Sequence, residues 1–286
     1  MEAYRSRPLR RVCLMALALL LLFLLSFVWG RYDVPLGEVV RILLSRLFPL
    51  TQTWTDNMAI AVWNVRMPRI LLACLVGCAL SAAGAGYQTV FQNPMAAPDI
   101  LGASSGACFG AALAILLGAS YAVITASSFL FGLAAVGLTY LVGRLSRIRS
   151  TLAMVLAGVM VGSLFSAGTS FIKLVADTNE QLPAITYWLM GSLSAAGFGA
   201  LKLGAPAIAV FCGVLLLLRW KLNLLPLPDE EARTFGTNIP CLRAVCIVCC
   251  AAMTASCVAM CGQVGWVGLL VPHVCRLLFG NSHARL

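Results

Sequence analysis

Cys246 and Cys249 form a Cys-x-x-Cys pair, and Cys250, Cys257 and Cys261 follow in the same run. That spacing could hold a metal or cycle through a disulfide, but a zinc site gathers four nitrogen or sulfur ligands. No His, Asp or Glu stands beside these cysteines, and free cysteine in an apolar run behaves as a small hydrophobe. They are read as packing residues, with no metal and no disulfide implied. The only lysines are Lys173, Lys202 and Lys221, and none completes the GxxxxGK[ST] loop that cradles nucleotide phosphates. No HExxH occurs, and Gly102-Ala103-Ser104-Ser105-Gly106, though it spells GxSxG, lies in an apolar run with no strand before it and makes no nucleophile elbow, so the chain is read as no enzyme on its own. Ionisable residues inside apolar runs would mark a proton or ion relay. Asp99 stands at a helix start, where it can cap free N–H groups, and Lys173 lies near a run's end, where it can snorkel. His273 follows Pro272, where it either satisfies a carbonyl freed by the proline or stands at a pathway.

The residues that remain informative lie in QNPMAAPDILGASSGACFG, Gln92 to Gly110, between two apolar runs. Asn93-Pro94 and Pro98-Asp99 break the backbone, because proline removes a helical donor and restricts the residue before it. Gly102, Gly106 and Gly110 then recur every fourth residue with Ser104 and Ser105 between them, a smooth face for close helix packing. Gly158, Gly162, Ser166 and Ser170 repeat the ladder further along. Such a face either packs against a neighbour or lines a pathway. Asn93 either caps its turn or, with Met95, gates the mouth of such a pathway.

The elements that must position these residues are membrane spans. The chain is 61% hydrophobic and only 10% charged, where soluble domains carry about a quarter charged residues. Apolar runs near 12–29, 70–91, 98–118, 121–143, 151–175, 201–218, 241–261 and 264–280 predict an all-α, polytopic membrane protein of about eight spans, read as one membrane domain over 1–286. The first run is read as a retained span rather than a signal peptide, because it is long and SFVWG lacks a small-x-small cleavage site.

A net charge of +10 raises the question of nucleic acid, but its placement answers otherwise. Arg5, Arg7, Arg10 and Arg11 precede the first run, Arg144, Arg147 and Arg149 follow the fourth, and Arg219, Lys221, Arg233 and Arg243 flank the sixth and seventh. These loops alternate, so the positive-inside rule places them and the N-terminus in the cytoplasm. Arg31, Arg41, Arg46, Arg66 and Arg69 then lie outside, tempered by Asp33, Glu38 and Asp56. The expected partner is membrane lipid, with no nucleic acid.

Between the first two runs, Val34 to Phe48 reads as an amphipathic surface helix with Leu36, Val39, Val40, Leu43, Leu44 and Leu47 on one side. Asp177 to Pro183 reads as an external polar turn, and Tyr187-Trp188 as an interface pair. Pro226 and Pro228 break the polar stretch after the sixth run, and Asp229-Glu230-Glu231 open a short helix.

Four blocks occur in one order: Arg66-Met67-Pro68-Arg69, QNPMAAPDILGASSGA, YWLMGSLS (Tyr187 to Ser194) and GQVGWVGLLVPHVCRLL (Gly262 to Leu278). Together they resemble the FecCD-like permease subunits of type II ABC importers for iron–siderophore complexes, haem and vitamin B12. The resemblance implies a multi-pass inner-membrane permease that binds no cofactor itself. ATP-Mg would sit on a partner ATP-binding cassette subunit, a periplasmic or lipoprotein substrate-binding protein would dock outside, and a second permease copy or close paralogue would complete the pathway. It implies docking by Arg66 and Arg69, where snorkelling is the alternative role. It implies a pathway and gate along Asn93, Met95, Gly102, Ser104, Ser105, Gly106, Gly158, Gly162 and Ser166. It implies ATPase coupling through 222–238, with Leu222, Asn223, Leu224, Asp229, Glu230, Glu231, Arg233 and Gly236 in contact. Members of the family usually have ten spans, so the resemblance also implies about two spans beyond those counted in this sequence. Gln263 stands where a small residue or proline is common in the family. An ion-coupled secondary carrier and a non-transporting membrane fragment are the alternatives.

Overall fold

A computed structural model describes residues 2–145, 151–194 and 197–280. Among them the elements are helical: α1 Glu2–Leu25, α2 Leu36–Leu44, α3 Asp56–Ile60, a π-helical turn Ala61–Arg66, α4 Met67–Val90, α5 Ala103–Leu116, α6 Tyr121–Leu145, α7 Thr151–Val175, α8 Gln181–Leu189, α9 Phe198–Leu222, α10 Asp229–Thr234, α11 Ile239–Cys261 and α12 Val267–Phe279. Among the described residues five helical stretches are long and apolar enough to cross a membrane: 56–90, 121–145, 152–175, 198–222 and 239–261. Three shorter apolar helices, 12–25, 103–116 and 267–279, lie within the remaining expected runs but fall short of that length, so the described residues bear out five of the about eight expected spans. Arg147 and Arg149 lie outside the described residues.

The chain forms two compact units, 1–74 with 193–201, and 75–192 with 202–286. The first is built on Phe27, Val34, Val39, Ile42 and Val62, with Phe23, Trp54, Met58 and Trp63 packed around them. The apolar run expected to end at Trp29 leaves the helix after Leu25, and Phe27 turns into this core. The surface helix is shorter than expected, 36–44, and carries two apolar stripes. Val39 and Ile42 face the core, whereas Leu36, Val40 and Leu44 stay exposed. Thr53 holds the following loop on α2, accepting from Arg41 at 2.9 Å and donating to Glu38 at 2.8 Å.

The π-turn has a local cause. Pro68 has no N–H, and its ring would press on the carbonyl four residues back, so the helix widens by one residue. Met67 accordingly donates to Val62 O, an i→i−5 bond.

In the second unit α11 is the enclosed helix, with 83% of its span buried against 17% for α9. Its Ala, Cys and Ser residues let neighbours approach closely, as small residues do in membrane bundles. Cys246 and Cys250 are among them, with their sulfurs 4.0 Å apart. Phe109, Phe131 and Phe165 join α5, α6 and α7 through ring pairs with centroids 5.3, 5.4 and 6.4 Å apart. Ser127 donates to Gly110 O at 2.7 Å and Thr139 to Leu101 O at 3.0 Å, adding polar ties between α6 and the α5 region.

The sequence reading missed α8. Asp177 Oδ1 accepts from the N–H groups of Asn179 and Glu180, both at 2.9 Å, so the polar turn nucleates a helix instead of ending as a loop. Ile185 of α8 packs with Ala112, Ile172 and Ala176. The helix stops at Gly191, whose φ of 72° suits glycine. Ser192 N–H then bonds Cys261 O at 2.7 Å. A Cβ on Gly191 would lie 2.3 Å from Gln263 O, and one on Gly262 would lie 2.4 Å from Trp188 O. The YWLMGSLS and GQVGW blocks therefore meet backbone to backbone, and Gln263 joins that contact through its main chain.

Candidate functional site

The turn after α4 gathers the first candidates. Gln92 leaves the helix at φ 50°, a left-handed conformation uncommon outside glycine. Asn93 Oδ1 accepts from Met95 N at 2.9 Å, which closes an Asx turn around Pro94. Asn93 thus caps its turn, while Met95 is 70% exposed beside it. Asp99 Oδ1 accepts from Ser104 N at 3.1 Å, capping α5 as expected of an acid at a helix start.

The polar segment between α9 and α11 folds onto this turn. Leu222, Leu225 and Ala232 are buried, Asn223 and Leu224 half-buried, and Glu231 and Gly236 exposed. Asp229, Glu230 and Arg233 fall within α10, and their side chains lie outside the described set. Asn238 caps α11 by accepting from Cys241 N at 3.1 Å. One side chain joins the two regions: Gln92 Nε2 donates to Leu225 O at 3.2 Å. Sequence reasoning missed Gln92. Its only signal is its place directly before Asn-Pro, and its partner lies 133 residues away.

The two glycine ladders meet, but not as one continuous face. Gly102 precedes α5 with φ 77° and sits against Gly158 and Gly162 of α7. Gly106 and Gly110 face α6 instead, where added Cβ atoms would lie 2.5 Å from Phe131 O and 2.6 Å from Ser127 O. Gly102, Ser104, Gly106 and Gly158 are buried by the chain's own atoms, so packing occupies these four expected pathway positions. Ser105 is half-buried, with Oγ 3.6 Å from the Cβ position of Gly162, and Ser166 is exposed on α7.

A paired substitution separates these roles. A Cβ on Gly158 would lie 2.2 Å from Ile100 O, a backbone atom with no freedom to swing aside, whereas Gly162 has only ordinary contacts. We expect Gly158→Ala to destabilise the folded chain by roughly 1–3 kcal/mol and Gly162→Ala to be tolerated. Thermal midpoints of the purified variants check this; equal midpoints would contradict the packing.

The two arginines part company. Arg66, expected beside Arg69 as a docking residue, is only 7% exposed. Its guanidinium donates to the carbonyls of Phe27 and Tyr32, and to Val28 O at 3.3 Å. Gly30 leaves space for it, since a Cβ there would lie 2.7 Å from Arg66 Nη2. Placed in the π-turn, Arg66 ties down the 27–32 segment. Arg69, one turn on, is half-buried; its Nη2 donates to Ser194 O at 3.3 Å, and its Nε has no hydrogen-bond partner.

His273 is exposed on α12, beside the buried Pro272. Arg276 of the same helix donates to Gln88 Oε1, and Gln88 Nε2 donates to Leu269 O at 3.3 Å, so two polar side chains bind α12 to α4.

Among the described residues the arrangement is one of close-packed helices with a polar segment at 222–238 between α9 and α11. Residues 18–286 match the model of the FecCD transport family. The molybdate import system permease protein MolB of Haemophilus influenzae is 35% identical over 272 residues, covering 95% of this chain and 80% of that protein. The Fe(3+)-citrate import system permease protein YfmE of Bacillus subtilis is 32% identical over 282 residues, covering 97% and 81%. A solved structure described as a metal-chelate type ABC transporter in an inward-facing conformation superposes with a TM-score of 0.84 at 33% identity, covering 96% of this chain and 83% of that one. The chain belongs to the FecCD transport family of permease subunits.

Proposed function

We propose that this permease carries a ferric siderophore, or a related haem or cobalamin complex, inward across the cytoplasmic membrane. A partner ATPase subunit contacts 222–238, a substrate-binding protein docks outside, and a second permease copy or paralogue completes the pathway. The N-terminus lies in the cytoplasm, which the alternating arginine-rich loops support. The observation that carries the reading is the Gln92–Leu225 bond, because it links the segment offered to the ATPase with the turn at the mouth of the pathway. Movement of 222–238 on nucleotide binding then reaches Asn93 and Met95 directly. Along α7, Ser163, Ser166 and Ser170 are exposed on one stripe of an apolar span. Ser170 Oγ bonds back to Ser166 O at 3.1 Å, which leaves a smooth, weakly polar surface past which a bulky chelate can slip. Arg69 is the docking residue in this account, since guanidinium–carboxylate forks are strong and Arg66 is committed inside. The 35%-identical molybdate permease supports a second cargo, an oxyanion, on the same architecture.

Two variants test the reading with the complete importer. Arg69→Glu should lower stimulation of ATP hydrolysis by the loaded binding protein by at least about tenfold while the ATPase still co-purifies. Gln92→Leu should leave both partners bound and cut uptake per ATP roughly fivefold, the worth of one lost coupling bond. Unchanged stimulation and unchanged uptake per ATP would defeat it.

A further inference from the structure

A groove of about 320 Å³ lies between α4, α9 and α12, and each of the three helices lends it a cysteine: Cys78, Cys212 and Cys275. The three thiols do not gather into a metal site, since no cluster of three His, Cys, Asp or Glu side chains occurs among the described residues. Two of them do meet. Cys78 is exposed, Cys212 is half-buried, and they are interacting neighbours across the groove. The fold explains this pairing, which spacing along the chain does not show. α4 and α9 run toward the same end, where Gln92 Nε2 bonds Leu225 O, and Cys78 and Cys212 precede those two residues by nearly equal stretches of chain. Helices rise by the same amount per residue, so the two thiols stand level. α9 is also the least buried of the five long stretches, with 17% of its span enclosed, so few contacts fix it against α4. The other close pair, Cys246 and Cys250, differs on both counts. It is fully buried and lies on a single helix, so little can reach it and its closure would tie nothing together.

We propose that Cys78 and Cys212 are a redox-sensitive pair, which a lipid hydroperoxide closes into a disulfide that fixes α9 to α4 and holds the 222–238 segment still. The oxidant class follows from the groove, whose lining is apolar apart from Ser81, Arg219 and the thiols and so admits an apolar peroxide rather than an ion. The Cys78 sulfur attacks one peroxide oxygen, the O–O bond breaks, and the thiol proton leaves with the alcohol, so that Cys78 becomes a sulfenic acid. The Cys212 sulfur then attacks Cys78 Sγ, the S–S bond forms, and water leaves. Two thiols thus give up two electrons to one peroxide. In the test, the permease–ATPase complex in liposomes is treated with cumene hydroperoxide, remaining thiols are blocked, and peptides are mapped by mass spectrometry. A Cys78–Cys212 linked peptide should dominate, and ATP hydrolysis should fall at least about fivefold and recover with dithiothreitol. Cys78→Ser or Cys212→Ser should abolish both the peptide and the fall. Cys74→Ser, one turn earlier on α4 and outside the groove, should keep both. Absence of the linked peptide in the wild-type chain overturns the pair, as does an equal yield of a Cys246–Cys250 link. Linkage with hydrolysis unchanged, or a fall that persists in Cys78→Ser, overturns the lock. The lock rests on the reading that 222–238 contacts the ATPase; failure of that reading would show instead as no bound ATPase and no hydrolysis before oxidation, while the linked peptide still forms.

Discussion

Arg66→Met should destabilise the 1–74 unit by roughly 3–5 kcal/mol, the largest effect we expect from any single polar change. The methionine can fill the space of the arginine stem, but it leaves the carbonyls of Phe27, Val28 and Tyr32 without their donor. Each bond is charge-assisted, and a buried acceptor left alone forfeits its full desolvation cost. Arg66→Lys should recover less than half, because one ammonium cannot reproduce the fork that reaches separate carbonyls. Limited proteolysis reads the result: cleavage within 27–34 should rise sharply in the methionine variant while α5–α7 stay protected. The fluorescence of Trp54 and Trp63, both packed on the same core, gives a second probe. Wild-type protection in Arg66→Met would show that the carbonyls find other donors.

Gly84→Ala should be the most damaging of the conservative changes. Its Cβ would lie 1.7 Å from Gly268 O and 2.6 Å from the carbonyl carbon, so backbone rather than a side-chain tip must move. Gly268 has no room to retreat: its own Cβ position is 2.7 Å from Leu80 O and 2.2 Å from Pro98 Cγ. Forcing α12 away from α4 also strains the Arg276–Gln88 and Gln88–Leu269 bonds. A loss of about 3 kcal/mol follows from overpacking alone. Gly77→Ala on the same helix has nothing within 4 Å of the added methyl and should be neutral or slightly stabilising. Thermal midpoints in detergent should therefore drop for Gly84→Ala and hold for Gly77→Ala; a parallel drop would mean that α4 rejects any methyl, and the seam would not be special.

The fold was legible in sequence wherever composition and punctuation agreed. Asn93-Pro94, Pro98-Asp99 and Pro226-Pro228 mark the breaks that separate α4, α5 and the 222–238 segment, because proline acts locally and needs no partner. The acidic start of α10 was visible for the same reason. Neighbour choice was not legible. A four-residue glycine ladder states that something packs closely, but Gly102 meets α7 while Gly106 and Gly110 meet α6, and only the third dimension separates them. Arg66 and Arg69 look equivalent three residues apart in sequence. The π-turn before Pro68 places the first inside, where it meets carbonyls 34 to 39 residues away. Gln92 was invisible because its bond spans 133 residues. On α2 the helical spacing was right and the burial was not: two apolar stripes occur on one short helix, and periodicity alone cannot say which of them meets the core.

Uptake into proteoliposomes holding this chain, its ATPase and its binding protein tests the central claim most directly. Labelled ferric siderophore, haem, cobalamin and molybdate would each be offered with internal ATP, and again with a proton or sodium gradient and no ATP. The account predicts ATP-dependent accumulation of ferric siderophore that survives collapse of both gradients. Accumulation that follows a gradient without ATP would contradict it and make the protein an ion-coupled carrier.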